Sequence, residues 1–468
     1  MSSHVLKHGS RLLFAAASFA LIVACSGEAA APTTPAPVAR AFDEAAWPSS
    51  AVTDPIGLGF SAEGLAALDA RMAQSVADQD VAGMVYILGK GGEIAAFNAH
   101  GVQSGDPKTG APMTRDSLFR IYSMSKPITG VAMMQLYEQG KWAMDDPVSK
   151  HVPELAGLKV LSWKDGKPEI GPDGKPVLAA ASREPTMKEL MSHTAGFGYG
   201  LSGDDPVNTA FRETAVLAAG DLDEMINRIK DIPLIYDPGT RWYYSIAVDI
   251  QGYIVQKLSG QKFGDYLKAN VFTPLGMNDT AFFVSEDRKQ RFTDVYRWDK
   301  EAEALVANAE RPDRPGFSDP NRLESGGGGL VSSTHDYARF AQMFLNNGSL
   351  GGAAVLKPET VELMRTNAIG DLRLYSDGTT ANPGLPGVGF GMDFAVYEDS
   401  SVTGQPYGKG THYWGGAAGT WFWIDPVNDL FFIGMIQSMG GARPDAMNYR
   451  NESARLVYEA LSPQPAAP

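Results

Sequence analysis

The sequence predicts an α+β protein: one antiparallel sheet built from both chain ends and flanked by helices, plus an inserted, mostly helical lobe. Three observations carry this. A helix and a hairpin pattern come early, over 61–97. A hairpin and a helix pattern come late, over 420–461. The stretch between, about 118–380, is largely helices and loops with no βαβ alternation.

In order along the chain, the first signal is a targeting segment. Lys7 and Arg11 precede the apolar run LLFAAASFALIVA (12–24), and Cys25, the single cysteine, follows it. Thirteen such residues are too few for a stable span and suit a signal-peptide core. The end of the run, Ile22-Val23-Ala24-Cys25, resembles a bacterial lipoprotein signal. That resemblance implies cleavage after residue 24, a lipid on Cys25, and a place on the periplasmic face of the cell envelope, at the outer membrane. Residues 25–54 are rich in Ala, Pro and Thr over 26–41 and read as a lipidated tether. The folded-domain candidate is 55–461, and 462–468 (SPQPAAP) reads as a frayed tail.

Ser61 is placed as an N-cap, with Leu65, Leu68, Met72 and Val76 at helical spacing after it. MVYILGKGGEIAAF (84–97) is two apolar runs around a Gly-rich turn, a hairpin. TWFWID (420–425) and LFFIGMIQ (430–437) flank PVND as a second hairpin. Leu456, Tyr458 and Leu461 fall on a last helix over 446–461.

Composition limits the function classes. The 468 residues carry 40 basic and 54 acidic side chains, a net charge of −14, with no basic cluster. That argues against nucleic acid. Seven scattered histidines and one cysteine give no metal-ligand spacing, and no cofactor is expected. Where two lobes meet, a cleft for a small molecule is expected.

Two Ser-x-x-Lys matches stand in the chain, Ser123/Lys126 and Ser259/Lys262. Spacing of three puts both side chains on one helical face. Pro127 is tolerated only in a first turn, so a helix starts just before it with Ser123 at its N-terminus. Val131, Met134, Leu136 and Tyr137 continue it and Gly140 can end it. A buried helix N-terminus suits an oxyanion, and apolar enclosure of Lys126 is expected to lower its pKa toward that of a base. The second match closes the run Ile246, Ile250, Ile254, Leu258, with Gly260 as C-cap. There the carbonyl end faces the serine, so Ser259/Lys262 reads as a surface terminus.

Six segments then occur in order: FRIYSMSKPITG, LMSHTAGFGYG (190–200), PGTRWYYSIAVDIQGYIVQKLSG (238–260), SGGGGLVSSTHDYARFAQMFLNNG (325–348), GVGFGM (387–392) and YWGGAAGTWFWIDP (413–426). This set resembles serine hydrolases of the class C β-lactamase and family VIII carboxylesterase type, across roughly 55–460. The resemblance implies a β-lactamase/transpeptidase-like fold and three motifs: Ser123 with Lys126, Tyr244-Ser245-Ile246, and Trp414-Gly415-Gly416. It implies that Ser123 is the nucleophile, that Lys126 and Tyr244 share its proton, and that the N–H groups of Ser123 and Ala417 form the oxyanion hole. Tyr122, Ile246, Trp414, Gly415 and Gly416 are the expected substrate contacts, the two glycines allowing close backbone approach. Tyr243 is an adjacent decoy. His193 reads as part of a structural turn, and His412 as a surface residue that at most rims the site. SGGGG (325–329) reads as a tight passage behind the site, not a phosphate loop, since no Lys-Ser/Thr follows.

Two departures from the family pattern narrow the substrate. Ile246 stands where β-lactamases carry an asparagine, and Trp414 where they carry a lysine. Loss of an amide and a cation favours apolar, uncharged acyl groups. The expectation is therefore a carboxylesterase acting on short or medium acyl esters through an acyl-enzyme. The rivals are a β-lactamase, D-aminopeptidase or peptidoglycan amidase on the same residues, and a non-catalytic binding lipoprotein.

Overall fold

The computed structural model describes residue 47 and residues 54–201, 203–309, 314–374, 385–439, 443 and 446–461. The signal segment, Cys25, most of the tether and the 462–468 tail lie outside the described residues.

Helix α1 (Ala62–Ala77) starts where the Ser61 side chain accepts a hydrogen bond from the Gly64 N–H at 3.1 Å. Strands β1 (Gly83–Lys90) and β2 (Glu93–Ser104) follow as an antiparallel pair. Their two-residue turn is Gly91-Gly92, with φ of +60° and +77°. Both values suit a turn whose twist matches the flanking strands. β3 (Ala111–Pro112) is a two-residue edge strand. Near the other chain end come β4 (Val388–Phe390), β5 (Ala395–Tyr397), β6 (His412–Gly415), β7 (Trp421–Asp425) and β8 (Leu430–Ile436). Among the described residues these make one eight-stranded sheet in the order β4-β5-β6-β7-β8-β1-β2-β3. The two predicted hairpins meet at its centre, where β1 runs antiparallel to β8 with Met84 opposite Ile436.

MVYIL in β1 is apolar at every position because both faces of the sheet are covered. Met84, Tyr86 and Leu88 pack under α1 and the last helix, Tyr449–Ala460. Val85 and Ile87 point into the larger core on the opposite face. A Cβ on Gly64 would meet Ala460 Cα at 2.5 Å, so that glycine sets how closely the first and last helices approach.

The other face carries the inserted region. Helix α2 (Ser125–Glu138) is buried on nearly all sides and packs against α3 (Ala247–Ser259). Helix α4 (Thr334–Leu345) lies against β8 and β1. The inserted region shares one continuous apolar core with the sheet. It also holds small two-stranded ladders that apolar periodicity did not reveal, such as Leu118–Arg120 with Val331–Ser333. These strands are only three residues long, below the reach of a period-2 pattern.

One boundary moves. Trp47, placed in the tether by composition, is docked in the core at 7 % exposure. Its Nε1 donates to Gly92 O at 2.9 Å, its ring meets Phe431 edge-on, and its carbonyl accepts from Arg339 Nη1. An indole buries enough apolar surface to hold this one residue in the core.

Candidate active site

Ser123 sits in a single 3-10 turn (Tyr122–Met124) that runs straight into α2. The turn is reached through a strained backbone: Tyr122 has φ of +41°, rare for a residue with a Cβ. Ile121, just before it, bonds through its N–H to Leu330 O at 3.1 Å. The Ser125 Oγ accepts from the Leu330 N–H at 3.1 Å. The Ser123 turn is thus fixed from both sides by one residue, Leu330, at the end of the SGGGG loop.

Ser123 Oγ and Tyr244 Oη lie 2.7 Å apart. Lys126 Nζ donates to Ser123 Oγ at 3.3 Å and stands 4.5 Å from the centre of the Tyr244 ring. The three predicted groups therefore converge. Lys126 is fully buried, and its shortest contact is to Gly327 O at 2.6 Å. It also reaches Tyr199 Oη at 3.5 Å. Tyr199 Oη in turn donates to Asp249 Oδ2 at 3.2 Å. Asp249 accepts further from the Gly327 N–H at 3.1 Å and from Ser325 Oγ. Burial pushes the Asp249 carboxyl up, against the opposing pull of Lys126. Burial, with Asp249 beside it, raises the Tyr199 phenol well above its ordinary value.

SGGGG is the tight passage expected, and it does more. A Cβ on Gly327 would meet Asp249 Oδ2 at 2.4 Å and Tyr199 Oη at 2.6 Å. One on Gly326 would meet Val248 O at 2.5 Å. Bare backbone is what lets the loop pass between α3 and α2 and present a carbonyl to the lysine. Sequence reading missed this acceptor, along with Tyr199 and Asp249. One signal existed: Asp249 interrupts the apolar face Ile246, Ile250, Ile254 of a buried helix, and a buried acid there needs partners.

A cavity of about 560 Å³ opens beside Ser123. Its walls include Trp242, Tyr243, Tyr244, Leu374, Leu385 and Trp414, with Gly415, Gly416 and Ala417 along one side. Ala417 is exposed to it, and its N–H has no acceptor among the described residues. Trp414 leans on Tyr244 at 5.6 Å and on Phe390 at 5.5 Å between ring centres.

Four expectations need correction. Ile246 is fully buried in the core and is not part of the cavity wall, because its place ahead of α3 turns it inward. Tyr122 is not part of the wall either; its ring stands edge-on to Phe317, 5.5 Å away. Gly416 does line the cavity, but its close approach is to the protein itself: a Cβ there would lie 2.4 Å from Ile121 O. His412 is neither on the rim nor on the surface. It is buried between Phe344 and Phe394, its Nδ1 faces Gly410 O at 3.1 Å, and burial lowers its pKa to about 4. His193 is a turn residue as read, with φ of +57°. Its Nδ1 accepts from the Ser245 N–H at 3.2 Å, and burial with Lys126 nearby holds its pKa well below the ordinary value.

Sequence and fold comparisons identify the family. The Beta-lactamase family model matches residues 68–456. Esterase EstB of Burkholderia gladioli is 31 % identical over 392 residues, covering 80 % of this chain and 91 % of EstB. Lovastatin esterase of Penicillium rubens is 28 % identical, covering 70 % and 81 %. Among solved structures, simvastatin synthase LovD from Aspergillus terreus superposes with a TM-score of 0.71 at 20 % identity, over 85 % of this chain and 98 % of LovD. A Ser–Lys–Tyr cluster at a helix start, beside a cavity and in a chain matched over most of its length, has one reading: the chain belongs to the beta-lactamase family and is a serine hydrolase.

Proposed function

We propose that the protein is a carboxylesterase for short or medium acyl esters, working through an acyl-enzyme on Ser123. The observation that carries this reading is the 2.7 Å contact between Ser123 Oγ and Tyr244 Oη, with Lys126 on the same oxygen at 3.3 Å. Ser123 Oγ attacks the ester carbonyl carbon. Its proton passes to the Tyr244/Lys126 pair, the N–H groups of Ser123 and Ala417 receive the oxyanion, and the pair returns the proton to the departing alkoxide. Water then repeats the cycle on the acyl-enzyme and releases the acid. The aromatic walls around Trp242, Tyr244 and Trp414 favour apolar acyl groups. The esterases named above, EstB and lovastatin esterase, support an ester over a β-lactam.

The test compares p-nitrophenyl butyrate with a chromogenic cephalosporin, using wild type and Ser123→Ala. Faster ester turnover that vanishes in Ser123→Ala is the expected result. Cleavage of the cephalosporin alone rejects the esterase reading, and no turnover of either moves the reading toward amides or toward binding without catalysis.

We also propose export with a lipid on Cys25, supported by the basic residues, apolar run and cysteine of 7–25. Metabolic labelling with palmitate should mark wild type and not Cys25→Ala; equal labelling rejects it.

A further inference from the structure

The cavity wall is not all apolar. Arg450, in the first turn of the last helix, is one of its lining residues. Its guanidinium lies against Gly415: a Cβ at that glycine would come within 3.2 Å of Arg450 Nη2. It also covers the Tyr413 ring, 4.6 Å from the ring centre. The same cavity is therefore lined by Ser123 and Tyr244, by the end of β6, and by Arg450.

Among the described residues no carboxylate pairs with Arg450. Glu452, two residues on, is held by Arg455 at 2.8 Å and faces Arg71 at 3.8 Å. Asp425, on the neighbouring strand, is occupied by the Gly408, Val427 and Asn428 N–H groups and by Tyr458. Arg450 Nε is buried without an acceptor. The backbone N–H groups of a first helical turn add positive potential instead of cancelling it. A guanidinium fork with no carboxylate of its own, partly desolvated in a binding cavity of a chain whose net charge is −14, is built to receive a planar anion.

We infer that Arg450 is a specificity residue that recognises a carboxylate carried by the ester substrate, away from the scissile bond. The inference rests on the esterase reading above and sharpens it. The cation lost at position 414 is replaced from the last helix, so the preferred esters are apolar near the carbonyl and anionic at one end.

The experiment measures kcat/KM for an uncharged ester, p-nitrophenyl butyrate, and for two anionic ones. Mono-p-nitrophenyl glutarate carries its carboxylate on the acyl side, and 3-(butyryloxy)benzoate on the alcohol side. Arg450→Gln should lower the anionic-to-uncharged ratio at least tenfold for one of the two, through KM. Arg450→Lys should retain part of it. Arg455→Gln, on the same helix but already paired with Glu452 and Glu459, should leave the ratio unchanged. An unchanged ratio for both anionic esters in a folded Arg450→Gln overturns the inference. If wild type hydrolyses none of the three, the esterase reading fails instead. Calorimetric binding of the two anionic esters to Ser123→Ala and to Ser123→Ala/Arg450→Gln then decides the point: equal affinities overturn the role of Arg450, and a loss confined to the double variant supports it.

Discussion

The chain contains the same four-residue spacing twice, and the two copies have opposite fates. Ser123/Lys126 stands at the entrance to α2, with the lysine enclosed and its amine shared among a serine, a tyrosine and a carbonyl. Ser259/Lys262 stands at the exit of α3. There Ser259 Oγ donates to Gln256 O at 3.4 Å and accepts from the Gln261 N–H at 3.2 Å, and Lys262 is exposed. The spacing brings serine and lysine onto one face in principle. Helix polarity and the segments that arrive from elsewhere decide whether anything follows. At the first copy, three distant pieces close the site: Tyr199, Tyr244 and Gly327. At the second, Gly260 adopts φ of +71°, and nothing lies within 4 Å of where a methyl group would sit, an ordinary helix stop.

The most forceful way to break this comparison is to treat both copies alike. Ser123→Ala should lower kcat/KM by about 1000-fold or more, and Ser259→Ala should leave it unchanged; equal effects would refute the assignment. The next contrast is between neighbours. Tyr244→Phe removes the hydroxyl that meets Ser123 and should cost about 100- to 10,000-fold in kcat. Tyr243→Phe removes an acceptor for Asn208 Nδ2, now at 2.7 Å. Its main effect should be a stability loss of about 1 kcal/mol in a urea titration.

A third contrast pairs two glycines. Gly327→Ala pushes a methyl into Asp249 and Tyr199; it should destabilise by about 1–3 kcal/mol and lower kcat with it. Gly260→Ala has open space and is opposed only by its left-handed φ, about 1 kcal/mol, with kcat retained. The smallest effect over the usual assay range concerns pH. His412 titrates near 4 when folded against an ordinary 6.5. The unfolded chain therefore takes up the proton first. Stability is fully present above about 6.5, declines below it, and that contribution is exhausted once pH falls past about 4. His412→Leu should flatten this part of a thermal-melt series between pH 7 and 4. An unchanged slope would mean the ring is not buried as described.

The two central hairpins, α1 with its cap, and the Ser123/Lys126 pair were legible because each has a local signature: a two-residue glycine turn, a serine before a periodic run, a proline that marks a helix start; Tyr244 has none and came only from the family resemblance. Ile246 and His412 were misplaced for a shared reason. Which way a residue faces at the edge of an element depends on what packs there, and neither spacing nor residue type reports that. Tyr199, Asp249 and Arg450 were missed because each acts through a neighbour far away in sequence. Arg450 in particular reads as one more charge on a polar helix until the cavity shows what it borders.

The carbonyl that holds Lys126 lies 201 residues downstream of it. A chain still being made has Ser123 and Lys126 long before it has the backbone that positions them. Until residue 327 is in place, the buried amine has no principal acceptor and the loop that pins the Ser123 turn does not exist. Hydrolytic competence therefore arrives late in biosynthesis. The first appearance of hydrolysis would time the completion of the fold, a clock for maturation as well as a measure of catalysis.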